Sequence, residues 1–160
     1  MAEYRVGLGI DAHAFEDGVP LVLGGAVFDH PRGLAGHSDG DVLTHALIDS
    51  ILGAAGLGDL GALFPPDDPD LAGISSLLLF ERALRVVRAE GWELVNADCV
   101  LIGEEPRIAP QRDEMRAALA QAADVEVERI AVRATTTDGL GFAGRCEGLA
   151  AQAVALLERV

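Results

Sequence analysis

The chain has 160 residues, 50% of them hydrophobic, and a formal net charge of −14. That length suits a single domain over 1–160 with a real core, and the apolar share argues against disorder. The negative charge argues against a nucleic acid as partner, because such binding leans on a broad basic surface. A small phosphorylated ligand stays compatible, provided a metal or helix N-termini supply a local positive field. Aromatic residues make up only 4%, so Ala, Leu and Val must build the core. Cys99 and Cys146 lie far apart and form no metal or redox pair, which points to a reducing, cytoplasmic setting. The opening MAEYRVGLGID lacks the basic start and apolar run of a signal peptide. No window holds about eighteen uninterrupted apolar residues, so no membrane span is expected.

In chain order, Tyr4 to His13 predicts a strand: Val6, Leu8 and Ile10 alternate with Gly7, Gly9 and Asp11. Period two sets Asp11 and His13 on one face, opposite the apolar row. After a turn at Asp17-Gly18, Leu21 to Leu23 and Ala26 to Phe28 read as short strands broken by Gly24-Gly25. His30 to Ser38 is a loop. Asp39 or Gly40 begins a helix reaching about Ala55, apolar on nearly every side and therefore buried. Gly58 to Phe64 is a short turn, and Asp67 to Asp70 an acidic loop. Ser75 or Ser76 caps a helix through Glu90, stopped by Gly91. A strand over Glu93 to Ile102, a turn over Gly103 to Pro106, a helix from about Pro110 to Ala123 and a strand over Arg129 to Thr136 follow. Thr137 to Gly148 is a Gly-rich loop. Leu149 to Glu158 is ambiguous on propensity, its alanines favouring helix. The alternation implies an α/β sandwich of the α+β class, one mixed sheet covered by helices.

Three residues offer metal chemistry. Asp11, His13 and His45 supply one carboxylate and two imidazoles, a set that zinc accepts in a tetrahedron with a fourth position open. Iron is also compatible. On spacing alone, independent polar roles carry equal weight. His37 and Ser38 precede the long helix, where they would either donate to a phosphate or serve as caps. Thr135-Thr136-Thr137-Asp138 leaves a strand for a Gly-rich loop. Its hydroxyls and amides suit a diphosphate, and Asp138 suits a harder cation such as Mg²⁺ or Mn²⁺; a polar turn is the commoner use of such a run. Asp59 and Asp68 are placed to accept hydrogen bonds from a polyol, although solvated turn carboxylates are the commoner case, and Arg107 to meet a phosphate, although most such arginines are merely exposed.

As a set, GIDAHAF (9–15), LGG (23–25), GLAGHSDGDVLTHAL (33–47), GLGDLGALFP (56–65), DP (68–69), PRIAP (106–110) and ATTTDGLGFAGRCEG (134–148) resemble the 2-C-methyl-D-erythritol 2,4-cyclodiphosphate synthase family. These pieces keep one order and span nearly the whole chain. The resemblance implies a homotrimer around a threefold axis, each subunit a mixed sheet with helices on one face, and Leu149 to Glu158 a strand. It implies zinc on Asp11, His13 and His45, and catalytic roles for His37 and Thr136. Ser38, Asp59, Leu60, Gly61, Phe64 and Asp68 match substrate-binding positions. Gly103, Pro106, Arg107, Ile108, Ala109, Ala134, Thr135 and Thr136 match a cytidine pocket lent by the neighbouring subunit. Phe142, Arg145 and Glu147 match an axial cavity suited to an isoprenoid diphosphate or another anion. The implied reaction cyclises a CDP-linked 2-phosphate with release of CMP, a phosphorus–oxygen lyase reaction of isoprenoid precursor synthesis. Asp138 stands where the family often has Glu for a second divalent ion, Arg107 where Lys is common and Cys146 where Gly is frequent. Two rival readings use the same residues: a zinc-dependent phosphohydrolase, and a non-catalytic trimeric module that binds zinc or an isoprenoid.

Overall fold

The computed structural model describes residues 1–160. Strand β1 (Tyr4–Asp17) runs past its predicted end, and its last residues pair with β4 (Arg32–Leu34), a strand inside the predicted loop. Between them lie the two expected short strands, β2 (Leu21–Leu23) and β3 (Ala26–Phe28), which the structure pairs as a hairpin about Gly24-Gly25. Helix α1 (Val42–Ala55) follows, then the single turn α2 (Leu60–Leu63), where only an irregular turn was predicted, and α3 (Ser76–Ala89). Strand β5 (Trp92–Ile102), α4 (Arg112–Ala123), β6 (Ile130–Thr135), the single turn α5 (Gly141–Gly144) and β7 (Gly148–Arg159) complete the chain.

Five strands form one mixed sheet in the order β4-β1-β7-β5-β6, with only β5 and β6 parallel. The alanine-rich C-terminal segment is thus a central strand. Ladders to β1 and β5 satisfy its backbone on both edges and override the helix preference of alanine. Its inward row Leu149, Ala151, Ala153, Ala155 and Leu157 is buried beneath α1.

Helix α1 is the centre of the core, with every residue buried except Asp49 and Gly53. It lies unusually close to β1. A Cβ on Gly9 would stand 1.8 Å from the Ala46 carbonyl oxygen, and one on Gly7 2.0 Å from that of Ser50. Glycine at these two positions therefore sets the helix–sheet distance. Helices α3 and α4 extend the same layer over β5 and β6. The opposite face carries no layer within the chain. Val6, Leu8 and Ile10 are 69%, 58% and 57% exposed, so this apolar row faces out. No helix is long and apolar enough to cross a membrane.

Candidate metal and substrate site

Alternation along β1 turns Asp11 and His13 towards α1, where His45 occupies the first full turn. His13 Nε2 lies 2.7 Å from Asp11 Oδ2 and 3.2 Å from His45 Nδ1, and His45 Nδ1 lies 3.2 Å from Asp11 Oδ2. A tetrahedral ion with bonds of roughly 2.0–2.1 Å needs donors about 3.3 Å apart, so the three atoms already approximate one face of such a site. No fourth His, Cys, Asp or Glu joins them. His30 pairs with Glu105 at 3.2 Å and stacks on Phe15, while Asp41 caps α1, so neither is a ligand.

The remaining ring nitrogens are committed elsewhere. His13 Nδ1 donates to the Ala35 carbonyl at 2.6 Å. His45 Nε2 lies 2.8 Å from Ser76 Oγ and 3.0 Å from Ser38 Oγ. Burial opposes charge on Asp11, but hydrogen bonds and attraction from His13 and His45 outweigh it and hold the carboxyl well below the usual carboxylate range. Burial also opposes protonation of His13. The Asp11 hydrogen bond and charge outweigh that too, and raise His13 above its ordinary 6.5. A proton between Asp11 and His13 is what a bound cation would displace.

The triad opens on a cavity of about 380 Å³. His37, Ser38, Asp59, Leu60, Gly61 and Phe64 line it. Asp68 does not contribute its carboxylate: that group takes the Asp70 N–H at 3.0 Å, while its carbonyl accepts from His37 Nε2 at 2.7 Å. The helix terminus also differs from expectation. Helix α1 starts at Val42, and buried Asp41 accepts the Thr44 N–H and hydroxyl plus the N–H groups of Gly24 and Gly25. A carboxylate thus fills the positive end of the helix, so the amides of that terminus are not free for an anion. Asp49, Pro66, Leu71 and Leu79 also line the cavity and were not anticipated. Asp49 was legible as an acid four residues after His45 in an otherwise apolar helix. It accepts the Leu60 N–H at 2.7 Å, and burial raises its pKa.

The other predicted residues lie elsewhere in the chain. Asp11 shares a row across the sheet with Ala151, Leu101 and Ala134. Three strand spacings, roughly 14 Å, therefore separate it from Ala134. His37 and Thr136 are not brought together within one chain. Gly103 instead follows the end of β5 beside Ala134 and Thr135 at the end of β6, and Pro106, Arg107 and Ala109 lie in the segment that continues from it. The Gly103 N–H bonds the Thr135 carbonyl at 3.0 Å, and Glu104 accepts the N–H groups of Thr137 and Gly139 at 3.2 Å each. Ile108 is 2% exposed and its side chain belongs to the core. Asp138 is exposed, and no group of three ligating side chains forms around it. Phe142 and Glu147 line a shallow pocket of about 270 Å³ with Ala12, Ala14 and Gly148. Arg145 is not in its lining; its guanidinium pairs with Glu147 at 2.9 Å.

The fold and site define a class: an α+β protein in which a sheet strand and a buried helix converge on a triad able to hold a metal ion, at the wall of a ligand-sized cavity. The chain belongs to the YgbB family, whose match covers residues 4–158. It is 54% identical to a 2-C-methyl-D-erythritol 2,4-cyclodiphosphate synthase of Rubrobacter xylanophilus, over 99% of this chain and 98% of that protein. Among solved structures it is similar to a CDP-bound 2C-methyl-D-erythritol-2,4-cyclodiphosphate synthase, with TM-score 0.87 and 38% identity over 96% of this chain and 99% of the other. It is also similar to the bifunctional IspDF of Campylobacter jejuni, with TM-score 0.96 and 41% identity; the match covers all of this chain but 43% of that one.

Proposed function

We propose that this chain is, over 1–160, a 2-C-methyl-D-erythritol 2,4-cyclodiphosphate synthase. The reaction joins the 2-phosphate oxygen of 4-diphosphocytidyl-2-C-methyl-D-erythritol 2-phosphate to its β-phosphorus. The bond from that phosphorus to the bridging oxygen breaks, and CMP leaves with the electron pair. The observation that carries this reading is the convergence of Asp11, His13 and His45 donor atoms on a cavity lined by His37 and Ser38, in a chain so close to named synthases.

The donor set fits Zn²⁺, and when bound it would supply positive charge to the diphosphate oxygens. The nucleophile is already anionic at neutral pH, so no residue need act as a strong base. The chain's task is to overcome repulsion between phosphates and the entropy of ring closure. Ser38 donates its hydroxyl to a phosphate oxygen. His37 stabilises charge on the transferring phosphoryl group from one side and Thr136 from the other. Asp59, Leu60, Gly61 and Phe64 hold the methylerythritol portion, with the Asp68 carbonyl fixing the His37 ring.

Because His37 and Thr136 are far apart in one chain, the active site is completed by a second copy. A homotrimer with sites between subunits meets this need. The exposed row of Val6, Leu8, Ile10 and Val154 supports it as the surface buried on assembly. The neighbour then lends Gly103 to Ala109 and Ala134 to Thr136 for cytidine, and its Asp138 would hold Mg²⁺ or Mn²⁺, which would supply further positive charge.

Phosphorus NMR of the protein with the CDP-linked 2-phosphate, Zn²⁺ and Mg²⁺, before and after chelation, tests the proposal. Metal-dependent appearance of a cyclic diphosphate and CMP is expected. An open-chain product would replace the cyclase by a phosphohydrolase, and no turnover by a zinc-loaded trimer would leave a binding module.

A further inference from the structure

His45 can bind a metal through Nδ1 only if its ring proton sits on Nε2, and that proton needs an acceptor. Two hydroxyls are in reach, Ser76 at 2.8 Å and Ser38 at 3.0 Å. Alone, a hydroxyl is ambivalent, since it donates as readily as it accepts. The two serines differ in what lies behind them. Ser76 is fully buried, and its hydroxyl is bonded very closely to Asp39 Oδ1. Asp39 Oδ2 also accepts the Ser76 N–H at 3.0 Å, while Oδ1 takes the Asp41 N–H at 3.1 Å. An ionised carboxylate has no proton to give, so Ser76 must donate to Asp39 and turn its lone pair to His45.

His13 obeys the same logic directly, with the acceptor-only Ala35 carbonyl holding Nδ1–H and freeing Nε2. The pair Asp39–Ser76 also replaces an ordinary cap. Ser75 at the N-cap of α3 makes no side-chain capping bond, and the carboxylate that meets the first turn arrives from the 37–41 loop. Ser38 makes no such contact with a carboxylate, so its proton is not committed.

We infer that Asp39 is a positioning residue of the metal site: through Ser76 it holds His45 as the Nε2–H tautomer and leaves the Ser38 hydroxyl proton free for a phosphate oxygen. This inference rests on the metal reading of the triad. Partners of this kind commonly change metal affinity by about 10–100-fold when removed.

The test uses full-length wild type, Asp39→Asn, Ser76→Ala and Ser76→Thr. Zinc affinity is read by competition with a chromophoric chelator, and the His45 tautomer by long-range ¹H–¹⁵N NMR of metal-free protein that carries Asp11→Ala and His13→Ala in every variant, which removes the two acceptors 3.2 Å from Nδ1. In Asp39→Asn the amide donates to Ser76, which can then donate to His45 Nε2. The expected result is a shift towards the Nδ1–H tautomer and zinc binding about 10–100-fold weaker. Ser76→Ala leaves only the ambivalent Ser38, so the competent tautomer is partly populated and binding weakens about threefold. Ser76→Thr keeps the hydroxyl and matches wild type. Nε2–H retained in Asp39→Asn, with zinc binding within threefold of wild type, overturns the inference. Should Asp39→Asn not fold, an unmixed Nε2–H tautomer in Ser76→Ala overturns it equally. If wild type bound no zinc while the tautomer still followed Asp39, the metal reading would fail and the positioning role would stand.

Discussion

At the scale of single residues, two acids near the cavity work in opposite senses. Asp41 is buried among four donors, and burial and the charge of Asp39 raise its pKa. Asp41→Ala removes the cap of α1 and orphans the amides of Gly24 and Gly25. A loss of about 3–5 kcal/mol in urea unfolding is expected. Asp11 is the reverse case, held ionised by its histidines. Its folded pKa lies below the ordinary 3.8, so its contribution to stability is present above pH 3.8 and lost as pH falls through the lowered value. His13 has a folded pKa above 6.5, so its contribution is complete below 6.5 and lost as pH rises through the raised value. For metal-free protein, the stability advantage of wild type over Asp11→Asn should peak near pH 5, at about 2 kcal/mol, and shrink by pH 9. Urea melts at the two pH values check this; an advantage that grows towards pH 9 would contradict the pairing. His45→Ala is expected to abolish zinc binding and turnover while leaving the assembly intact, measured by chelator competition and light scattering.

At the scale of elements, the distance between α1 and β1 governs both the core and the site. Asp11 and His13 ride on the strand and His45 on the helix, so whatever separates the two elements also pulls the ligands apart. Gly9→Ala would force a Cβ to within 1.8 Å of the Ala46 carbonyl oxygen. It should cost about 3 kcal/mol or more and weaken zinc binding together with stability. A mutant that lost stability but kept wild-type affinity would uncouple the two. The glycines of GLGID look in sequence like conformational freedom; in the fold they are absences of side chain that let a helix backbone touch a strand. The boundaries that went unread, β4, α2 and the first residue of α1, all depend on partners distant in sequence: the last residues of β1, the Asp49 carboxylate, and the glycine amides of the β2–β3 hairpin.

At the scale of the whole molecule, the charge of −14 is compatible with the proposed phosphorylated substrate because a cation on the Asp11–His13–His45 triad would concentrate positive charge at one place. The uncovered sheet face is the other whole-molecule feature. Leu8→Glu sets a charge in its middle, 58% exposed in the single chain. The chain should stay folded by circular dichroism, sediment as a monomer and lose turnover at least a hundredfold, because His37 and Thr136 would no longer meet. Full activity of such a monomer would refute the shared site. The sequence by itself determined most elements in order and, through period two, that Asp11 and His13 share one face of β1; on spacing alone it left a metal triad open, and only the packing of α1 on β1 brings His45 to the other two. It did not determine whether Leu149 to Glu158 is helix or strand on propensity, which side of β1 is buried, or that Asp68 meets His37 through its carbonyl. Nor could it show that Asp39 reaches His45 through Ser76. Those follow from tertiary structure alone, because each depends on which distant backbone or carboxylate arrives to satisfy a hydrogen bond or cover a face.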